Sequence, residues 1–335
     1  MTGKRPKKKN RLESLHERRL FLKRASRLSG GAAILAAGGY LVYSDSPVRR
    51  TPEKIHTLPD YRVEPSKMYP IMSIVRGLNV DSMVKQAVDK LGGVSRFIKK
   101  GDTVLLKPNV GWDRMPEQAA NTGPEVVGAV VGLCRQAGAG RVWVSDVSLN
   151  DPRRSFNRSG IEKAVHDAGG EVHICGDSDF VQTDMGGSLL KVWPVSRFFM
   201  EADKVINLPI VKHHSLSGCT LSMKNWYGVL GGRRNQLHQD IHTSIVDLAN
   251  ALKPTLTIMD AVRVLKRNGP TGGNPDDVVR ENTIIASLDE VALDSYSLGF
   301  LGLVPEKIPF LAMAEARQIG QVDWRSLNVS QSQLG

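Results

Sequence analysis

Seven side chains with chemical capability crowd into nine residues: Lys212, His213, His214, Ser215, Ser217, Cys219 and Thr220. They follow directly on a short apolar run, Val205, Ile206, Leu208, Ile210 and Val211, which reads as a buried strand. Lys224 and Asn225 come next, on a helix-like segment that Gly228, Gly231 and Gly232 interrupt. Two imidazoles, a thiol, several hydroxyls and an ammonium group form a versatile set. It can ligate a metal, hold a phosphate or carboxylate, or move a proton. Open α/β sheets hold their ligands outside the carboxyl ends of their strands, where such a burst would sit. Residues 204–231 are therefore the stretch that the rest of the chain must position.

Other strand ends supply further candidates. Thr103–Leu106 is apolar on both faces, as a parallel strand must be, and Lys107-Pro108-Asn109 closes it. Pro108 lacks an N–H and drives Lys107 out of helical geometry, so Lys107 and Asn109 are expected near the carboxyl edge. Val142–Val144 ends in Ser145-Asp146, and Leu256–Met259 ends in Asp260. A carboxylate such as Asp146 at a strand's carboxyl end can bind a metal, a ribose or a lysine. Asn268-Gly269-Pro270-Thr271-Gly272-Gly273 opens a loop of turn formers whose glycines would let backbone approach a bound anion. The loop lacks the strand–GxGxxG–helix context of a dinucleotide site, and the chain has no P-loop lysine pattern.

These residues sort by role. Lys224, His214 and Lys107 are the candidates for catalysis. Asn109, Asp146, Ser217, Thr220, Asn225, Asn268 and Gly269 are the candidates for holding a cofactor or substrate. His213, His214, His238 and Asp260 form the pool of metal ligands. His238 and His242 are four apart, so on one helix they would share a face.

The elements that must position these groups alternate between strand and helix. Strands are expected at Ile71–Arg76, Thr103–Leu106, Val142–Val144, Glu171–Ile174, Leu256–Met259 and Thr283–Ser287. Helices are expected at Asp81–Leu91, from Pro124 to Ala137, at Phe156–Ala168, at Asp289–Leu301 and at Ile308–Ile319. Thr122 is the expected N-cap of the second of these, with Pro124 in its first turn. The alternation predicts an α/β fold, a mostly parallel sheet with helices on both faces. The body spans residues 69–320, with 321–335 as a C-terminal tail.

Charge is unevenly spread. The whole chain of 335 residues carries +11, but residues 1–50 hold 13 Lys/Arg against 3 Asp/Glu. The rest is almost neutral, with 32 against 31, so no basic face for nucleic acid is expected on the body. Cys134, Cys175 and Cys219 are widely spaced with no C-x-x-C. That argues against an iron–sulfur cluster and against a cysteine-rich zinc site.

The basic N-terminus reads as an address. Glu17-Arg18-Arg19-Leu20-Phe21-Leu22-Lys23 resembles the twin-arginine export signal. Leu28 to Tyr43 follows, uncharged and with four glycines. Sixteen residues at about 1.5 Å each fall short of a hydrocarbon core of about 30 Å, which suits a signal h-region. An uncleaved anchor in the inner membrane is the alternative for residues 28–43. The resemblance implies passage through the twin-arginine translocation machinery and a periplasmic location. Residues 44–68, with Pro47, Pro52, Pro59 and Pro65, read as a linker.

Several segments occur in a familiar order: LLKPNV (105–110), NTGPEVV (121–127), VSDVS (144–148), HHSLSGCTLSMKNWYG (213–228), MDAV (259–262), NGPTGG (268–273) and IIASLDEVALD (284–294). Together they resemble the domain of unknown function 362 family over roughly residues 70–305. The family implies no settled reaction. Many members are described as iron–sulfur proteins because of an added ferredoxin-like domain, whose cysteines this chain lacks. The run from His214 through Ser217-Gly218 to Lys224 and Gly228 is also similar to a segment of the nickel-pincer lactate racemases. That likeness implies that His214 and Lys224 help to hold a nickel-bearing pyridinium nucleotide, with His238 or His242 as a further ligand.

The expectation is thus an exported enzyme or cofactor-binding protein with an anion- or metal-binding site at the carboxyl edge of the sheet. The alternatives are a periplasmic ligand-binding or assembly factor without catalysis, and a nickel-pincer-like metal enzyme. A serine hydrolase is disfavoured, since no G-x-S-x-G elbow occurs.

Overall fold

The computed structural model describes residues 54–335. The paired arginines at 18–19, the apolar stretch 28–43 and the first part of the 44–68 linker lie outside the described residues. Among the described residues no helix is long and apolar enough to cross a membrane.

The strands, in chain order, are β1 (His56–Thr57), β2 (Met72–Arg76), β3 (Thr103–Pro108), β4 (Arg141–Val144), β5 (Glu171–Val172), β6 (Phe180–Asp184), β7 (Val192–Ser196), β8 (Lys204–Leu208), β9 (Ile210–His214), β10 (Gly218–Thr220), β11 (Leu256–Leu265), β12 (Val278–Ser287) and β13 (Val329–Gln333). The main sheet has the order β13-β2-β12-β11-β8-β3-β4-β5. Along this path every neighbouring pair is parallel except those made by β12, which is antiparallel to both β11 and β2. The expected mostly parallel α/β sheet is therefore present, with one reversed strand.

Alternation along the strands sends side chains to two cores. Val104 and Leu106 of β3 pack with Val126, Val130 and Phe156 on one face. Leu105 between them packs on the other face, in the cluster that holds Val246, Leu293 and Phe310. The helices Val80–Lys90, Pro124–Gln136 and Ile161–Asp167 cover the first face. Ile241–Ala251, Glu290–Ser297 and Pro309–Ala316 cover the second. Asn79 caps the first of these helices by accepting from the Ser82 N–H at 2.8 Å, one of the orphan donors that every helix start leaves.

The structure corrects several boundaries. Pro108 lies inside β3 and not beyond it, so the strand carries Lys107 along its last turn of pleat. The helix expected over 156–168 is two short helices, Pro152–Arg158 and Ile161–Asp167, separated at Gly160, whose φ of 73° suits glycine. The 44–68 linker is structured at its end: β1 pairs with β6 in a small separate sheet, β1-β6-β7, and Tyr61 is buried. The expected tail is an edge strand. β13 runs parallel to β2, from Val329 opposite Met72 to Gln333 opposite Arg76.

The largest departure lies in the chemical stretch itself. β9 continues the line of β8 after Pro209 and pairs with the outer half of β11, Ile210 opposite Asp260. β10 folds back on β9 in antiparallel register, placing Thr220 opposite Lys212, Cys219 opposite His213 and Gly218 opposite His214. What reads in sequence as a polar loop is a β-hairpin that projects beyond the carboxyl edge.

Candidate functional site

A cleft of about 810 Å³ opens at the carboxyl edge of β3 and β4. Lys107 and Asn109 enter it from the end of β3, Asp146 from the end of β4, and Lys212, His214 and Thr220 from the hairpin. Lys224, Asn225, Tyr227 and Gly228 enter from the short helical turns after the hairpin, and Arg234 and His238 from the segment beyond.

The hairpin explains which of its side chains arrive. Strand residues alternate between faces, and directly opposed residues share a face. Lys212, His214 and Thr220 therefore look one way, and His213 and Cys219 the other. Lys212, His214 and Thr220 line the cleft, whereas His213 uses its Nδ1 to accept the Gly269 N–H at 3.2 Å. That bond fixes the 268–273 loop against the hairpin. Gly269 has no room for a side chain, since a Cβ there would lie 2.0 Å from the His213 carbonyl oxygen. Asn268 donates to Asp277 Oδ2 at 2.7 Å. Asn268 and Gly269 thus hold the loop, and it is Pro270 and Thr271 that reach the cleft.

Lys107 and Asp146 form a buried ion pair, Nζ to Oδ1 2.7 Å, at the floor. Burial lowers the Lys107 pKa, and Asp146 works against that. Lys107 also donates to Asn225 Oδ1 at 3.1 Å and to the Pro108 carbonyl at 2.8 Å. Asp146 Oδ2 accepts the Val110 N–H at 2.6 Å. The chain can cross this pair only at a glycine: a Cβ on Gly228 would fall 1.8 Å from Asp146 Oδ1. Lys212 donates to Asn109 Oδ1 at 2.8 Å and to the Ala120 carbonyl at 2.5 Å. Asn109 in turn donates to Asn225 Oδ1 at 2.9 Å. Asn225 thus sits at the centre, and its own Nδ2 reaches Asn207 Oδ1 at 2.8 Å.

Two acidic residues on one helix hold this centre from behind. Glu290 accepts from Asn207, Thr257 and Trp226 at 2.6, 2.9 and 2.9 Å. One turn on, Asp294 accepts the Ser222 and Met223 N–H groups at 2.7 and 3.1 Å, together with the Ser222 hydroxyl. These N–H groups open the short helix that carries Lys224 and Asn225, so Asp294 caps it from a distant element. Burial raises both acids, Glu290 to about 7 and Asp294 to about 8.

The cleft is electropositive and incompletely satisfied. Burial pulls Lys212 down to about 7, and burial pulls Lys224 down to about 8. Arg234 is also lowered by burial while donating to the Tyr227, Val147 and Ser148 carbonyls at 2.9, 2.6 and 3.1 Å. The Lys224 ammonium rests over the Tyr227 ring, 4.5 Å from its centroid. The Thr220 hydroxyl, on a residue only 4% exposed, has no hydrogen-bond partner among the described residues. A buried polar atom left without a partner costs stability, so such an atom facing a cleft points to a ligand.

The imidazoles are set in opposite tautomers. His214 Nδ1 accepts the Leu216 and Ser217 N–H groups at 3.1 and 3.3 Å, so the neutral ring carries its proton on Nε2. Burial, then the Lys224 and Lys212 charges, push its pKa down to about 2 and keep it neutral. His238 Nδ1 donates to the Asn235 carbonyl at 3.2 Å, which leaves Nε2 as an acceptor. The two rings stack with centroids 6.3 Å apart. Ser217 does not line the cleft; its N–H orients His214, and its hydroxyl donates to the Cys219 carbonyl at 2.8 Å.

The metal pool is dispersed. Asp260 Oδ2 accepts the Gly123 N–H at 2.7 Å and so caps the helix Pro124–Gln136, the task that sequence assigns to Thr122. Thr122 instead ties strands together, accepting from the Asn109 N–H at 2.8 Å and donating to the Leu208 carbonyl at 2.7 Å. His213 faces away from the cleft, and His242 stacks on Phe310. The helix begins only at Ile241, so His238 and His242 do not share a helical face. Among the described residues, no three His, Cys, Asp or Glu side chains converge as a metal site. Arg234, Tyr227 and Cys175 line the cleft without having been singled out from sequence. Nothing in their local patterns marks them.

Fold and cleft together define an α/β protein with a cationic site at the carboxyl edge of its sheet. The chain belongs to the domain of unknown function family DUF362, whose profile matches residues 104–299. It is 30% identical over 247 residues to the thylakoid-associated protein sll1697 of Synechocystis sp., covering 69% of this chain and 73% of that one. Among solved structures, it overlaps the lactate racemase apoprotein from Thermoanaerobacterium thermosaccharolyticum with a TM-score of 0.37 at 11% identity. A protein from Thermotoga maritima overlaps with a TM-score of 0.35, also at 11% identity. Each overlap covers 72% of this chain and only 60% of the solved one. Likeness of this degree says nothing about chemistry.

Proposed function

We propose that the cleft binds an anionic small molecule, a substrate or cofactor bearing phosphate or carboxylate. The observation that carries this reading is the balance of charge. Lys107, Lys212, Lys224 and Arg234 converge on the cleft, against Asp146, which Lys107 already engages, and Asp177 on the exposed rim. Buried ammonium groups are costly unless paired, and charge-assisted hydrogen bonds to an anion would pair them. His214 would add an Nε2–H donor and Thr220 its unpartnered hydroxyl. His238, Lys212 and Lys224 are the groups suited to accept a proton from a bound molecule.

The signature expected of Lys224→Met is two-sided. Removing a buried ammonium relieves desolvation, so the ligand-free variant should be more stable by about 1–3 kcal/mol at pH 6. The rise in melting temperature that phosphate or sulfate gives the parent protein should disappear. A variant less stable than the parent, or one that still responds to both anions, would refute the role of Lys224.

Acidity should tune the same binding. A lysine whose folded pKa lies below its ordinary value holds its charge only below that folded value. Lys212 loses its proton through about 7 and Lys224 through about 8. Sulfate keeps its charge over this range, so its affinity should be greatest near pH 6. It should then fall, by up to about tenfold per pH unit for each lysine past its pKa. Calorimetric titration at pH 6 and pH 9 measures this, and equal affinities would count against lysine-borne recognition.

A nickel-bearing nucleotide held through His214 does not fit the ring as it is set. Metal-ligating histidines donate their other N–H to an acceptor. Here two N–H donors already point at His214 Nδ1, which leaves Nε2 protonated and not free to bind metal. His238 has the tautomer of a ligand, but it stands alone among the described residues. For residues 1–43 we propose export by the twin-arginine route, which fractionation of cells making Arg18→Lys/Arg19→Lys protein would test: retention in the cytoplasm supports it.

A further inference from the structure

We infer that the ligand of this cleft is an organic anion with an apolar body, a phosphate or carboxylate head on a hydrocarbon or aromatic skeleton. The inference rests on the anion reading above and adds the chemistry of the rest of the molecule. Size comes first. The cleft holds about 810 Å³. A water molecule's share of liquid volume is about 30 Å³, and a bare phosphate needs only a few times that. The space matches the range, about 300–1,000 Å³, in which drug-sized ligands are held.

The distribution of side chains comes second. The cations sit deep: Lys107, Lys212 and Lys224 are all under 10% exposed. The cleft is lined as well by Trp112, Phe180 and Leu230. At its mouth stand Leu149, from the loop after β4, and Leu216, from the tip of the β9–β10 hairpin. Both leucines are 61% exposed, and both line the cleft. Single exposed leucines are ordinary on a protein surface. Two of them lining one cleft that has a buried cationic floor give it a polar base and, beside Asp177, apolar surface at the rim. A ligand that satisfies the floor and also buries the two leucines must itself be amphipathic.

The test compares matched probes on the full chain by calorimetric titration: inorganic phosphate against phenyl phosphate, and acetate against benzoate. In at least one pair the aryl compound should bind about tenfold tighter or more, as burial of a ring's apolar surface implies. Leu216→Asn keeps the backbone N–H that orients His214, so it should remove most of that gain and leave the affinity for the small anion unchanged. Leu149→Asn gives an independent readout from the other loop. Equal affinities within both pairs would overturn the apolar body while leaving the anion site intact. A gain that survives both leucine variants would also overturn it. Absence of binding by all four probes would defeat the anion reading itself.

Discussion

Asp146→Ala is expected to lower folding stability by about 3–5 kcal/mol, among the largest effects available to a single substitution here. The reason is the neighbour it leaves behind. Lys107 and Asp146 are 1% and 3% exposed at their side chains and 2.7 Å apart. Without the carboxylate, a buried ammonium has only the Pro108 carbonyl and the Asn225 amide oxygen, and the Val110 N–H loses its acceptor. The double variant Lys107→Met/Asp146→Leu removes both charges, and it should recover most of the loss, since an apolar pair of similar volume needs no solvation. Urea unfolding of the parent, the two single variants and the double variant completes the cycle. A loss under about 1 kcal/mol for Asp146→Ala would show that water or a mobile lysine relieves the charge, and the floor would not be the fixed element described above.

Gly228→Ala should do comparable damage by a different route. A methyl group at this position would lie 1.8 Å from Asp146 Oδ1, 2.5 Å from Lys107 Nζ and 2.9 Å from Asp146 Cγ. These atoms are held on both sides and cannot swing into solvent, so either the pair or the segment Trp226–Val229 must move. Overpacking alone costs about 1–3 kcal/mol, and separating the pair adds to it. Binding of phosphate should fall along with stability, because Asn225 and Lys224 precede the same turn. An alanine variant with the parent's urea midpoint and phosphate affinity would mean that the segment lifts freely from the floor.

Much of the fold is legible in the residues because apolar periodicity survives in them. Val104, Leu105 and Leu106 announce a strand buried on both faces, and such a strand it is. The placement of Lys107, Asn109 and Asp146 at one edge follows from the same rule, that parallel strands end together. The hairpin is where the reading fails. Lys212 to Thr220 has too many polar residues for an obvious strand, yet as β9 and β10 it obeys period two. Read that way, His213 and His214 must part, one to the cleft and one to the 268–273 loop. Asp260 misled for a similar reason: a carboxylate halfway along a ten-residue strand faces a helix N-terminus and not the edge. Glu290 and Asp294 carried a usable sign, being four apart on a helix, but their partners lie far along the chain. Arg234 and Tyr227 carried none, since a surface arginine and a core tyrosine look the same in one dimension.

Asp294 stands 72 residues after the serine whose N–H it receives, and Asn225 stands 118 after the lysine it accepts from. During synthesis, therefore, the short helix that carries Lys224 and Asn225 lacks its backing acids until the helix Glu290–Ser297 has left the ribosome. β2 waits longer still for one of its two neighbours, β13 at Val329–Gln333. A ribosome stalled at residue 289 would have made every cation of the cleft but neither of the acids that back Lys224 and Asn225.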